Sequence, residues 1–320
     1  MGRGARPAGA VAAPQGGRVR TVATFAFPWL IAGLVSAYVA ISATVSSLTI
    51  PFLAWDSHAY WAALSAPEPY AGAQVGVIGS FLYPPPFLQL LAPLGRLPWP
   101  IFAFGWASIL TVVAISLLRR VPQRHRWMLP ILVWVAAADI WAGNINLLLA
   151  YAIVIAMEHS SAWAVVGLTK LTPVVGALWH VFRREWGAAV MAACLTAGLA
   201  ALSWVAAPQL WDAWTSQVLL GTPVDGYAKS LPVPLAIRLP AAVALLWWGA
   251  RSGRPVVVPL ACTLALPVIW LNGVATAIGA AALIDVRLRP VTEPLSIGEV
   301  RTAVRSLSER AFAPLRSRSG

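Results

Sequence analysis

The sequence predicts an all-α, polytopic membrane protein with about eight to ten membrane segments. Its 320 residues are 59% hydrophobic and only 11% charged, whereas soluble domains carry about 25% charged residues. The mean hydropathy is +0.74, and several apolar runs approach the ~20 residues that a helix needs to cross ~30 Å of hydrocarbon. No stretch is left over for a separate soluble domain.

Basic residues give the predicted orientation of the chain. Most of the 23 Lys and Arg residues fall in five clusters, and the positive-inside rule places such clusters on the cytoplasmic side. The net charge of +12 then reflects membrane topology rather than nucleic-acid binding. The clusters lie before residue 21, at 119–126, at 183–184, at 251–254 and at 287–318.

With every cluster inside, the chain divides into three regions. Residues 1–20 are predicted as a basic cytoplasmic N-terminus, 21–286 as the transmembrane domain and 287–320 as a basic cytoplasmic tail. The transmembrane domain carries outer loops at 48–97 and 207–231. Its first apolar run, 21–47, is longer than a signal-peptide core, which favours a retained anchor, although small residues at 42–47 also permit cleavage.

The remaining spans are the apolar runs that connect these clusters and loops. Residues 161–183 are predicted as a broken helical pair that meets at Lys170 and Pro173 and enters and leaves from the cytoplasmic side. Residues 81–95 could form a short span, but their prolines and a length of only ~15 residues favour a helix on the outer surface. The other predicted spans are 99–118, 127–141, 147–157, 186–206, 232–249 and a final hairpin of 255–270 and 274–285.

The first outer loop combines a carboxylate with aromatic side chains. Asp56 stands beside Trp55, Tyr60 and Trp61, with His58 two residues away. Asp56 could act as a general base or could cap the helix that begins at Ser57. The aromatic rings could hold a sugar or rest on lipid headgroups.

Four basic residues lie outside the cytoplasmic clusters: Arg96, Lys170, Lys229 and Arg238. A cation in or near the bilayer core is costly, so it usually has an anionic partner. Lys170 sits at a break between two apolar half-helices and is a candidate for binding a phosphate. Arg96 and Arg238 could instead reach the interface by snorkelling, and Lys229 could be solvated in its loop.

Several chemistries find no support in the sequence. Cys194 and Cys262 are isolated in separate apolar spans, so neither a disulfide framework nor a cysteine metal site is predicted. No glycine-rich phosphate loop precedes a helix, which argues against a sugar nucleotide or ATP as substrate. We therefore predict no cofactor, and leave open whether a divalent cation assists.

A series of short motifs, taken in order, resembles glycosyltransferase family 87. This family consists of polyprenyl-phosphate-sugar-dependent enzymes of the GT-C superfamily, and it includes the mannosyltransferases of phosphatidylinositol-mannoside synthesis. The resemblance covers roughly residues 50–275. The matching positions are Asp56 with Tyr60, then Tyr83 to Phe87 with Ala92 to Pro98, Gly143 to Asn146, Gly167 to Pro173, Arg183 to Trp186 and Leu266 to Trp270.

The resemblance implies a GT-C-like helical bundle with outer juxtamembrane helices, in a bacterial plasma membrane with both termini cytoplasmic. It implies transfer of a sugar from a polyprenyl-phosphate donor to a glycolipid or polysaccharide acceptor on the outer face, and mannose is the sugar that it favours. Asp56 would be the catalytic base, and Lys170, with Arg238 or Arg96, would bind the donor phosphate. Substrate contacts are predicted for His58, Tyr60, Trp61, Tyr83, Asn144, Asn146, Trp270 and Asn272.

Two departures from the family pattern bear on these expectations. Asn144 stands where the family commonly has glutamine, and Leu271 and Asn272 follow Trp270 where relatives often place a histidine. The chain is also short for the family. A flippase or binding protein for lipid-linked sugars without chemistry, and an inactive relative, therefore stay open as alternatives.

Overall fold

The computed structural model describes residues 54–221 and 230–289. Within those residues there are helices and connecting turns but no strand, which confirms the all-α fold class. The predicted first span, the N-terminal region, Lys229 and the tail from residue 290 lie outside the described residues. The twelve α-helices are α1 Trp55–Ser65, α2 Pro85–Leu91, α3 Trp99–Arg119, α4 Leu129–Ala142, α5 Asn146–Ala156, α6 Trp163–Thr169, α7 Leu178–Phe182, α8 Trp186–Ala206, α9 Pro208–Trp214, α10 Leu235–Ser252, α11 Val257–Leu264 and α12 Ile278–Leu283.

Two of these helices, α3 and α8, are long and apolar enough to cross a membrane. Each has 21 residues, which corresponds to about 31 Å at 1.5 Å per residue. Among the shorter apolar helical stretches, α5 packs against α3 and α6. The segment predicted either as a span or as a surface helix forms only α2 and the 3-10 turn Ala92–Arg96, and this is too short to cross the hydrocarbon.

The predicted break at Lys170 is present. Helix α6 ends at Thr169, and Lys170 is extended, with φ −136° and ψ 114°. The chain resumes as the 3-10 segment Thr172–Ala177, where Pro173 occupies an early position and has no N–H to continue the preceding helix. Gly176 allows this segment to pack closely, because a Cβ there would collide with the ring of Trp163.

The final hairpin differs from the predicted pair of continuous helices. Helix α11 stops at Leu264, and the chain then unwinds before the 3-10 segment Asn272–Ala277. Pro267 lacks a backbone N–H, so the carbonyls before it need other donors. The guanidinium of Arg238 donates to the carbonyls of Leu264 and Leu266, at 2.8 and 2.6 Å, and to that of Pro267 at 2.8 Å.

The described basic clusters meet at one end of the molecule. Arg124 pairs with Asp285, and His125 Nε2 lies 3.1 Å from the same carboxylate. Arg183 donates to the carbonyls of Ala250, at 3.2 Å, and Arg289, at 3.1 Å. Helix α4 runs from this end to the turn at Gly143, so that turn lies near the opposite end.

Candidate active site

The turn after α4 is shaped to fit beneath the first turn of α1. Gly143 has φ +70°, and a Cβ there would collide with Ser57 Oγ. Trp106 Nε1 donates to the Gly143 carbonyl at 2.8 Å, and the Ala54 N–H donates to the Trp141 carbonyl at 2.8 Å. These contacts bring α1 and the turn together.

Asp56 lies in the first turn of α1, above Asn144. Asn144 Nδ2 donates to Asp56 Oδ2 at 2.7 Å. The capping interpretation of Asp56 is wrong, because Ala54 occupies the N-cap in a left-handed conformation and no side chain caps the helix. The carboxylate is thus directed toward the turn rather than toward its own helix.

Lys170 reaches the same turn from the break in the α6 pair. Its Nζ donates to Asn146 Oδ1 at 2.7 Å and to Asn144 Oδ1 at 3.3 Å. The ammonium also lies 5.7 Å from the ring centroid of Tyr83. Asp56 and Lys170, which are 114 positions apart in the chain, therefore contact opposite ends of one amide group.

A second carboxylate, which the sequence analysis did not include in the site, completes the network. Asp139 is fully buried and accepts hydrogen bonds from Asn146 Nδ2 at 2.8 Å and from the Leu147 N–H at 2.9 Å. An ionisable residue in an apolar helix is costly, so it usually has a functional or structural partner. The position of Asp139 one turn before Gly143 was the signal that could have identified it.

Two tyrosine hydroxyls extend the network on the side of α1. Tyr60 OH donates to Tyr83 OH at 2.8 Å, and Tyr83 OH donates to Asn144 Oδ1 at 3.3 Å. Burial raises the pKa of both hydroxyls well above the ordinary tyrosine value, so both stay protonated at neutral pH. The ring of Tyr60 meets Phe87 and Trp106 edge-on, which fixes the position of its hydroxyl.

Burial also raises the pKa of the Asp56 carboxyl, to about 6. The hydrogen bond from Asn144, the charge of Lys170 and a hydrogen bond from Asn272 act in the opposite direction and keep the rise moderate. Asp56 is therefore ionised at pH 7 and is a stronger base than an ordinary aspartate.

Other predicted site residues lie around the network. His58 packs its ring against Trp99, at 4.9 Å, and Trp61, at 5.6 Å. Trp61 Nε1 donates to the Leu97 carbonyl at 2.8 Å. Trp270 lies in the unwound segment, two residues before Asn272, whose carbonyl accepts from Asn146 Nδ2 at 3.3 Å.

A role for the two predicted auxiliary cations, Arg238 and Arg96, in binding the donor phosphate stays a prediction. Arg238 is buried, and its guanidinium donates to backbone carbonyls of the unwound segment and, at 2.7 Å, to the Val233 carbonyl. Arg96 is exposed at the end of the turn after α2. In the described ranges, moreover, no three His, Cys, Asp or Glu side chains are grouped as metal ligands would be.

The fold and its apolar helices define an all-α integral membrane protein with a polar centre. This centre consists of Asp56, Asp139, Asn144, Asn146 and Lys170. The family model of glycosyltransferase family 87 matches residues 81–298, which is more than half of the 320 residues. The chain belongs to this family and is thus a membrane glycosyltransferase. The match includes Asn144, Asn146 and Lys170 and begins after Asp56. Searches of curated proteins and of solved structures give no match.

Proposed function

We propose that this protein transfers a sugar, with inversion, from a polyprenyl-phosphate donor to an acceptor hydroxyl on the outer face of the membrane. The observation that carries the proposal is the convergence of Asp56 and Lys170 on Asn144, which pairs a base with a cation, both only partly exposed. A base and a cation that contact the same amide group suit a reaction in which one oxygen loses a proton while another gains negative charge.

Lys170 stabilises the leaving group. In the transition state the bond between the anomeric carbon and the phosphate oxygen breaks, and the departing polyprenyl phosphate keeps the electron pair. A cation in a site of low dielectric constant stabilises that developing charge strongly. A phosphate leaves without a proton donor as strong as an alcohol would need, so no second carboxylic acid is required.

Asp56 deprotonates the acceptor hydroxyl. It takes the proton of the acceptor hydroxyl as that oxygen forms its bond to the anomeric carbon. One carboxylate acting as base, with no covalent sugar on the enzyme, gives a single displacement and hence inversion. Its raised pKa suits this role, because a base near the working pH transfers protons most efficiently.

Mannose and a lipid-linked or cell-envelope acceptor are the substrates that the family resemblance favours. Both lipids would be confined to the outer leaflet, so the bilayer itself would restrict which hydroxyls reach Asp56. Asn144 retains an amide at the position where the family commonly has glutamine, which supports an intact centre in this chain. Tyr83 and Asn272, which are both partly exposed, are groups available to contact the sugar, and the buried Tyr60 hydroxyl donates to Tyr83 from behind.

The test compares purified wild-type protein with an Asp56→Asn variant in liposomes, using labelled polyprenyl-phosphate mannose and a lipid extract as acceptor. We expect Asp56→Asn to bind the donor and to lower the transfer rate by about 10²–10⁴-fold, the usual contribution of a general base. Glu68→Gln, a matched change of an exposed acid in the same outer segment, should transfer at the wild-type rate.

Full activity of a folded Asp56→Asn variant would remove Asp56 from the reaction. Donor that is bound by the wild-type protein and never consumed, across acceptor extracts, would favour the non-catalytic alternative, a binding protein or flippase.

A further inference from the structure

Lys170 contacts neutral amides although two carboxylates lie close by. Asn144 stands between the ammonium and Asp56, and Asn146 stands between it and Asp139. Each amide gives its oxygen to the lysine and its NH₂ group to a carboxylate. The cation therefore has two acidic neighbours, yet neither of the acceptors that it touches carries a charge.

The orientation of Asn146 depends on Asp139. The Asp139 carboxyl accepts from the NH₂ group of Asn146, and the ammonium of Lys170 can only donate, so the amide oxygen of Asn146 faces Lys170. The other carboxylate oxygen accepts from the Leu147 N–H at the start of α5. That second bond anchors Asp139, because a buried backbone N–H needs an acceptor.

We infer that Asp139 is a positioning residue for the donor phosphate. By fixing the amide orientation of Asn146, it keeps Lys170 directed at the centre with only neutral groups in contact, so that a phosphate meets no carboxylate competing for the ammonium. This inference rests on the proposed function, since it assigns the orientation of Lys170 a role in donor binding.

This positioning role of Asp139 differs from a purely structural role in anchoring the start of α5. With Asp139→Asn, the new side chain could still accept from the Leu147 N–H through its amide oxygen. Its NH₂ group would then face Asn146, whose amide would have to turn and present its own NH₂ group to Lys170. The start of α5 would be kept, but the lysine would face a donor instead of an acceptor.

The first experiment measures binding of polyprenyl phosphate without sugar to the full-length protein in detergent. We expect Asp139→Asn to weaken binding at least about tenfold, the loss expected when one hydrogen bond to a charged group is removed. In transfer assays the same variant should raise the donor KM more than it lowers kcat. Asp212→Asn, a matched change of an exposed acid, should leave affinity and KM unchanged.

The second experiment exchanges the two groups in the double variant Asp139→Asn/Asn146→Asp. This protein has the same charge and composition, and both hydrogen bonds of residue 139 can form, because the amide now at position 139 can accept from the Leu147 N–H and donate to the carboxylate now at position 146. The 3.3 Å hydrogen bond from position 146 to the Asn272 carbonyl is lost. Lys170, however, would touch that carboxylate directly. We expect a melting temperature near the wild-type value, together with phosphate affinity that stays at least about tenfold weaker.

Two results would overturn the inference: wild-type affinity in Asp139→Asn, or wild-type affinity in the double variant, which a purely structural role of Asp139 predicts. These outcomes are separable from the proposed function. That proposal depends on donor consumption by the wild-type protein and on its loss in Asp56→Asn, whereas the inference compares phosphate affinities.

Discussion

At the scale of single residues, the amide groups of Asn144 and Asn146 organise the charged side chains. An asparagine has one face that accepts and one that donates, so it can join a cation to an anion without letting them touch. Asn144 is held by more than these two contacts, because its Oδ1 also accepts from the Ile145 N–H at 2.7 Å and from Tyr83 OH. Its orientation is therefore fixed by its neighbours.

The raised pKa of Asp56 predicts how the transfer rate depends on pH. The base acts only when ionised, so kcat/KM should be level near neutral pH and should fall as the pH drops through about 6. Asn144→Ala removes a hydrogen bond that lowers this pKa, and its acid limb should move to higher pH. The measurement is the pH profile of kcat/KM for both proteins.

Glu68→Gln provides the control for this profile and should keep the wild-type midpoint. A wild-type midpoint near about 4, the value of an unperturbed aspartate, would show that the Asp56 carboxyl in this setting does not control the rate. An unchanged midpoint in Asn144→Ala would mean that the amide does not act on the base.

The sequence predicts which residues form the polar centre better than it predicts which atoms those residues contact. Asp56 and Lys170 stood out because each is an isolated charge in an apolar or aromatic setting. The role of Asp139 depends on which way the Asn146 amide faces, and that is decided only by the tertiary contacts. Arg238 looked like a free cation because its partners are backbone carbonyls, which have no sequence signature.

At the scale of elements, interruptions in helices create the centre. The break after α6 delivers Lys170, the turn after α4 delivers Asn144 and Asn146, and the unwound segment after α11 delivers Asn272. In hydrocarbon a freed backbone group needs an internal partner. Arg238 supplies such partners by donating to several carbonyls of the unwound segment.

At the scale of elements, we predict the effect of changing the turn at Gly143. In Gly143→Ala, a positive φ costs about 1–2 kcal/mol, and the new Cβ would collide with Ser57 Oγ. We expect a lower melting temperature and at least a tenfold loss of transfer, because the turn must move away from Asp56.

Gly105→Ala is the matched control for Gly143→Ala. A Cβ there meets nothing within 4 Å, and alanine suits the interior of α3. This variant should retain activity and stability. Wild-type transfer by Gly143→Ala would contradict the need for close contact between the turn and α1.

At the scale of the whole molecule, the charge pattern of the sequence predicted which segments gather together. The turn before α4 meets the chain after α12 through Arg124 and Asp285, and Arg183 reaches the carbonyl of Arg289. The apolar runs of the sequence were less informative about the lengths of the spans. They predicted one span over 255–270, whereas Pro267 and the contacts of Arg238 divide that stretch.

The two ends of the molecule should differ in their access to solvent. In a background with Cys194→Ala and Cys262→Ala, Gln74→Cys lies in the predicted outer loop and Gln123→Cys lies beside the basic turn, and both positions are exposed. We expect a membrane-impermeant maleimide to label Gln74→Cys in intact cells and Gln123→Cys only after permeabilisation. The opposite pattern would reverse the predicted orientation and place the centre on the cytoplasmic side.

The link between Lys170 and Asp56 has a consequence for the order of events. The positive field of the lysine is one of the influences that weaken Asp56 as a base. In the proposed reaction, a donor phosphate bound at Lys170 would cancel that field, so the aspartate would gain affinity for a proton once the donor is bound. Under the same proposal, a water molecule or another alcohol that enters before the donor would meet a weaker base, which would disfavour activation of the wrong nucleophile.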